Sequence, residues 1–383
     1  MLVCSERINL FHSVYPSTAV PRVWRAPGRV NLIGEHTDYN LGLVLPMAID
    51  LACFVATAPS PSGVLCVHSI QLGEGAEWRV EDIPSATPQG KWSDRVVGIA
   101  RELALRGVPI AGQNLLIDSE VPLGGGLSSS AALGVALGLA LGGPAPGGSH
   151  AALELARLAW TVENDFVGVP CGIMDQFISA NGQEGAAILL DCRTLACRTV
   201  KLPEDVAVVT VNSMIKRELS HSAYRTRVEE CACAARELGI ASLRDADQQG
   251  FDSLSSLNET LRKRARHVIT ENARVRAFAD AAERGDLPEM GRLVTESHGS
   301  LRDDYEVSCP ELDFLVDAAL ASPGVFGARM MGGGFGGSTV NLVRWDAVDR
   351  FRSELSSEYR RFREITPDIH VCVASAGASQ VIP

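Results

Sequence analysis

The stretch Pro122–Leu133, PLGGGLSSSAAL, decides how the chain is read. Three glycines and three serines lie between a strand-like run, Gln113–Ser119, and an apolar run that begins at Ala131. Glycines let several backbone N–H groups converge on one point. A helix that follows adds its unpaired N–H groups and the positive end of its dipole. Serine hydroxyls supply more donors or ligate a magnesium ion. Strand, bare loop and helix in that order suit an anion, phosphate above all. A flexible turn capped by serine is the simpler alternative, but three of each residue exceed what capping needs.

Two better-known phosphate loops do not match. No lysine follows the glycines, so the pattern G-x-x-x-x-G-K-[ST] is missing, and Ser129 stands where a dinucleotide fingerprint needs its third glycine. A second cluster, MGGGFGGST at Met331–Thr339, does fit G-x-G-x-x-G through Gly332, Gly334 and Gly337. A strand, Ser338–Arg344, is expected to follow it instead of a helix, which contradicts the dinucleotide-binding context. This loop is expected to pack against the first or to close over the ligand. A plain glycine turn is the alternative.

Composition narrows the partners. The chain of 383 residues is long enough for two domains sharing a cleft. Its net charge of −11 argues against nucleic acid and anionic membrane surfaces, which need a basic footprint. Ten cysteines without a C-x-x-C pair suggest reduced thiols in the cytosol. The N-terminal stretch MLVCSERINLFHSVYPS has no apolar core of signal-peptide length, and Ala131–Gly143 falls short of a membrane span. Gly134, Gly138 and Gly142 in that segment fit a buried helix that a neighbour approaches closely.

The remaining segments mix strand and helix patterns and give an α/β (α+β) class. Strands are predicted over Leu43–Ala56 and Val206–Asn212, and helices over 222–238 and 258–284. A further helix should run from an N-cap at Ser149 to about Phe166. The turn-rich stretch Asp191–Asp205 places a domain change, giving domains 1–195 and 196–383.

Two stretches carry concentrated polar chemistry. In APGRVNLIGEHTDYNLG, Arg29, Glu35, His36 and Asp38 surround Gly34 between apolar strand residues. Carboxylates and imidazole together alternate donors and acceptors, as a polyol requires. A metal site would crowd three ligands into four residues without support elsewhere, and charged turn residues are the plain alternative. In VENDFVGVPCGIMDQF, Glu163 falls near a helix end, and Asp175 sits among apolar neighbours where burial would demand a partner. A helix-capping role for Asp175 is the alternative.

These four stretches, GRVNLIGEHTDYNLGLVLPMA, PLGGGLSSSAA, PCGIMDQF and MGGGFGG, resemble in order and spacing the sugar 1-kinases of the GHMP small-molecule kinase superfamily. The resemblance covers nearly the whole chain. It implies two domains with the active site in the cleft between them, and galactose, ATP and Mg²⁺ as ligands. Arg29 and Asp175 resemble the catalytic pair beside the sugar C1 hydroxyl. Glu35, His36, Asp38, Gly172 and Tyr224 resemble the sugar-binding set. Gly124, Gly125, Gly126, Leu127, Ser128, Ser129 and Ser130 resemble the ATP loop, with Ser129 and Glu163 as magnesium ligands. A monomer is expected.

The chain departs from the family pattern at Lys216-Arg217, at Ala223 before Tyr224, and at Val228. Some proteins of this resemblance sense sugar without phosphorylating it and lack a Ser-Ala pair in the first loop. Here Ser129-Ser130-Ala131-Ala132 is intact, which favours an enzyme. A kinase for another sugar, N-acetylgalactosamine or arabinose, is the second rival.

Overall fold

The computed structural model describes residues 2–16, 18–144, 148–215, 220–246 and 253–382. Lys216 and Arg217 lie outside them. Three sheets organise the chain. The first has six strands: β1 (Arg22–Asn31), β3 (Pro46–Pro59), β4 (Val64–Ser69), β5 (Glu74–Arg79), β6 (Gln113–Ser119) and β13 (Ser379–Val381), in the order β13-β1-β3-β6-β4-β5. The second has three: β2 (Leu43–Val44), β7 (Ala186–Asp191) and β8 (Cys197–Lys201). The third has four: β9 (Val206–Asn212), β10 (Val325–Met331), β11 (Ser338–Arg344) and β12 (Asp368–Cys372), in the order β10-β11-β9-β12. The last strand thus returns to pair with the first.

The single strand expected over Leu43–Ala56 is two. β2 pairs with β7, whereas β3 pairs with β1 and β6. Pro46 opens β3, and a residue without an N–H is a natural point for the chain to leave one ladder and enter another. β3 is apolar and buried over most of its length because helices cover one face of its sheet and the helix Leu2–Val14 covers part of the other.

After α1 (Leu2–Val14) and α2 (Asp94–Leu105), three helices cover the first face: α3 (Ser129–Ala140), α4 (Ser149–Thr161) and α5 (Met174–Asn181). α3 begins at Ser129, two residues before the start expected from its apolar run. Its glycines admit α4: a Cβ on Gly134 would stand 3.3 Å from Ala159, and one on Gly138 would strike Leu155. α4 starts with Gly148 ahead of it and has no side-chain cap, so the expected Ser149 N-cap is not formed. The helix also stops being α-helical at Thr161. A π turn, Val162–Phe166, follows, marked by Val167 N–H donating to the Val162 carbonyl at 2.9 Å. Such turns insert one residue and re-aim their side chains, often at functional sites.

The main core joins both halves of the sequence. Val206, Val208, Met331 and Val340 belong to the same buried cluster as Val30, Leu32 and Val135. A second cluster gathers around Tyr305, and a third lies behind the four-stranded sheet. No helix among the described residues is long and apolar enough to cross a membrane.

Candidate active site

The glycine loops meet across the main cleft. Gly124, Gly126 and Ser128 all have positive φ, which folds the first loop tightly before α3. The second cluster closes the hairpin between β10 and β11, where Met331 pairs with Ser338. A strand therefore follows it, as expected, and another strand precedes it. Ser338 Oγ donates to the Gly125 carbonyl at 2.5 Å, so the second loop packs directly on the first.

Arg29 reaches this junction through a break in its strand. The β1–β3 register shifts between Pro27 and Arg29. Gly28 lacks the Cβ that would stand 2.7 Å from the Leu127 carbonyl, and that carbonyl accepts from Arg29 N–H at 3.0 Å. The irregularity re-aims a strand residue, as bulges do beside active sites. The guanidinium then donates to Asp175 Oδ1 at 2.7 Å and Oδ2 at 2.9 Å, and to the Gly126 carbonyl at 2.6 Å. Ser128, which precedes α3, turns its hydroxyl to Asp175 instead of capping the helix.

Asp175 occupies the first turn of α5, where Ile173 is the cap residue, so the capping alternative does not apply. Its partner is Arg29, buried with 5% of its surface exposed. Burial alone would lower the Arg29 pKa, but the charges of Asp175 and Glu35 outweigh it and the group is raised.

The turn after β1 holds the next group. Glu35 accepts from Asn31 Nδ2 at 2.9 Å, Gly332 N–H at 2.7 Å and Arg329 Nη2 at 3.3 Å. His36 sits in the left-handed region at φ 62°, held by Asn40 Nδ2 on its carbonyl at 2.9 Å. Its Nδ1 pairs with the Tyr39 hydroxyl at 2.8 Å, while Nε2 makes no hydrogen bond of ordinary geometry. Burial, helped by His267 and Arg227 and opposed by the nearby Gly333 backbone, brings the ring down to about 3. It is therefore neutral. Burial, then the charge of Asp175, raises Asp38 to about 7.

Gly172 packs on that carboxylate, and a Cβ there would overlap Asp38 Oδ2. Gly172→Ala should therefore displace Asp38, and a ligand that meets Asp38 should bind about 10- to 100-fold more weakly, the worth of one good hydrogen bond to a buried polar group. Calorimetric titration with the sugar that the sequence resemblance implies checks this; unchanged affinity would mean that Asp38 does not meet it.

Tyr224 lies beside this turn, its ring 5.4 Å from those of His36 and Tyr39. Glu163 comes from the π turn, 7% exposed, with both oxygens paired to Arg95 at 2.9 and 2.6 Å.

Arg29, Glu35, His36, Asp38, Gly124, Gly126, Ser128, Ser129, Ser130, Glu163, Gly172, Asp175 and Tyr224 therefore line one cleft of about 650 Å³. Gly125 and Leu127 do not line it: Leu127 is buried, and its loop carbonyl holds Arg29. Sequence reading missed Arg95 and Arg329, the partners of Glu163 and Glu35. An arginine inside the apolar strand VFGARMM was a usable signal for Arg329. Arg95 carries none that is local.

A glycine hairpin thus packs on a Gly/Ser loop, with acids and a buried arginine at their junction. Residues 9–59 match the galactokinase galactose-binding signature, 94–183 the GHMP kinases N terminal domain, and 278–361 the GHMP kinases C terminal domain. The chain is 44% identical to a galactokinase of Roseiflexus sp. over 98% of its length and 96% of that protein. It is 46% identical to one of Chloroflexus aggregans over 94% and 93%. The crystal structure of Lactococcus lactis galactokinase complexed with galactose matches at TM-score 0.93 and 35% identity, covering 99% of this chain and all of that one. Methanococcus jannaschii mevalonate kinase shares the fold, at TM-score 0.65 and 18% identity over 94% and 99% of the two chains. The chain belongs to the galactokinase family.

Proposed function

We propose that this chain transfers the γ-phosphoryl group of ATP to the anomeric C1 hydroxyl of galactose, giving galactose 1-phosphate and ADP. The observation that carries the reading is the Arg29–Asp175–Ser128 cluster, which stands in one cleft between the Gly/Ser loop and the Glu35–Asp38 turn. Glu35, His36, Asp38, Tyr224 and the backbone of Gly172 hold the sugar. The loop Gly124–Ser130 takes the phosphates on backbone N–H groups and hydroxyls, and the start of α3 adds its own. Asp175 orients the C1 hydroxyl and takes its proton, while Arg29 holds Asp175 and offsets the charge near the reacting oxygens. Phosphoryl transfer asks mainly for such positioning and charge neutralisation.

The donor set suits magnesium. Among the described residues, no three His, Cys, Asp or Glu side chains gather into a metal cage. Mg²⁺ does not need one, because it keeps waters and takes phosphate oxygens with one or two protein oxygens. Ser129 and Glu163 would supply those; each Glu163 oxygen pairs with Arg95 and retains a lone pair. When bound, the ion would neutralise phosphate charge. We read the chain as a cytoplasmic monomer with lobes 1–195 and 196–383. The ten free cysteines support the cytoplasmic part of that reading.

Coupled ADP release with Mg-ATP across galactose, glucose, N-acetylgalactosamine, arabinose and galacturonate tests the activity. Galactose should turn over at roughly 1–100 s⁻¹ and the others little. Silence on all five, from folded protein that binds galactose and ATP, would make it a sugar sensor.

A further inference from the structure

Behind His36 runs a chain of hydroxyls that belongs to no part of the cleft described so far. His36 Nδ1 meets the Tyr39 hydroxyl at 2.8 Å, Tyr39 meets the Tyr305 hydroxyl at 2.7 Å, and Tyr305 meets Cys231 Sγ at 3.0 Å. The three partners come from the sugar turn, from the segment after the helix Leu287–Asp303, and from the helix Ser220–Glu237. Tyr305 and Cys231 are buried, and Tyr305 also packs its ring on His36 and His267. His267 in turn is fixed by Ser300 at 2.9 Å and by the Glu35 carbonyl at 3.1 Å. The chain is held at several points, so its hydrogens have little choice.

Each phenol has one proton to give, so the two hydroxyls must donate in the same sense. In one sense the thiol donates to Tyr305, Tyr305 to Tyr39, and Tyr39 to His36 Nδ1. In the other, Nδ1–H donates to Tyr39 and a phenol proton ends on sulfur. The central bond is O–H···O either way, so the ends decide. The first sense gives the best acceptor of the four, a neutral imidazole nitrogen, a good phenolic donor. The second makes Nδ1 the donor, leaves the imidazole lone pair on Nε2 outside the relay, and spends a phenol O–H on a weak acceptor. The first sense wins.

We propose that Tyr39 and Tyr305 are positioning residues for substrate recognition: they lock His36 as the tautomer with its proton on Nε2, making it a donor to a sugar oxygen. This rests on the reading of His36 as a sugar ligand. Nε2 is buried beside the Gly333 backbone without a hydrogen bond of ordinary geometry, on a side chain that lines the cleft. Its donor character is therefore set in advance by the relay behind it. A ring free to switch tautomer would meet the same oxygen with a lone pair for part of the time.

Tyr39→Phe keeps the ring and removes the hydroxyl. Nitrogen-15 spectra of the histidine rings should show His36 leaving a single Nε2–H tautomer for a mixture. The KM for galactose should rise about tenfold, with kcat and the KM for ATP within about threefold. Tyr305→Phe should move both readouts in the same direction by less, and serves if Tyr39→Phe folds poorly. A His36 ring that is Nδ1-protonated in the native protein, or whose tautomer is unmoved in both variants, would overturn the proposal. His36→Ala separates the two levels. If it leaves the KM for galactose unchanged, the reading of His36 as a sugar ligand fails, whatever the spectra show.

Discussion

Asp175→Asn should lower kcat by about 10²- to 10⁴-fold, the usual worth of a positioned acid–base group, while galactose and ATP still bind. The amide keeps the shape and most hydrogen bonds of the carboxylate but gives up its charge and the capacity, proposed above, to take the C1 proton. A second effect follows from the partner. Arg29 is buried, and its fork rests on both Asp175 oxygens. Stripping one member from a buried pair costs about 3–5 kcal/mol. The Asp175 side chain is 29% exposed, so solvent screening reduces that; roughly 1–3 kcal/mol is expected. Steady-state kinetics with calorimetric binding separates the two effects. A kcat within threefold of the native value, in protein that binds both substrates, would remove Asp175 from the chemistry.

Arg329→Met should be the most damaging substitution outside the cleft surface. Arg329 is fully buried on β10. Its Nε donates to the Leu32 carbonyl at 2.9 Å, Nη1 to the Met330 carbonyl at 2.8 Å, and Nη2 to the Asn31 carbonyl at 2.5 Å and Glu35 Oε1 at 3.3 Å. One side chain thus ties the four-stranded sheet to the end of β1 and steadies a carboxylate of the cleft. Methionine fills similar space but leaves Leu32 and Asn31 carbonyls without this donor and Glu35 without its cation. The loss is about 3–5 kcal/mol, which lowers the melting temperature by roughly 4–6 °C for a chain this large. Galactose affinity should fall with it, because Glu35 loses one of its three holds. A melting temperature within 2 °C of native would show that the tie carries no weight.

How much of this was legible beforehand follows from where the information lies. The two glycine clusters and the Glu35–Asp38 turn were legible because each packs its chemistry into a dozen residues whose types admit few uses. The strand after the second cluster was enough to reject a dinucleotide fold, and β11 is where it was expected. Partners were not legible from the local residues. Asp175 demanded one, and only the family resemblance paired it with Arg29, 146 positions earlier. The π turn at Val162–Phe166 hid inside an ordinary helical pattern, since one inserted residue leaves the apolar spacing almost unchanged. The Tyr39–Tyr305 contact joins residues 266 positions apart, a distance no periodicity records. The break before Pro46 was visible in the sequence, but a continuous apolar run masked it.

The most direct measurement is the phosphorus-31 and proton spectrum of the product formed from Mg-ATP and galactose by the purified chain. One new phosphate monoester coupled to the anomeric proton, in equal amount to ADP, is the expected result. Phosphate on any other sugar oxygen, or ADP accompanied only by free phosphate, would contradict transfer to C1.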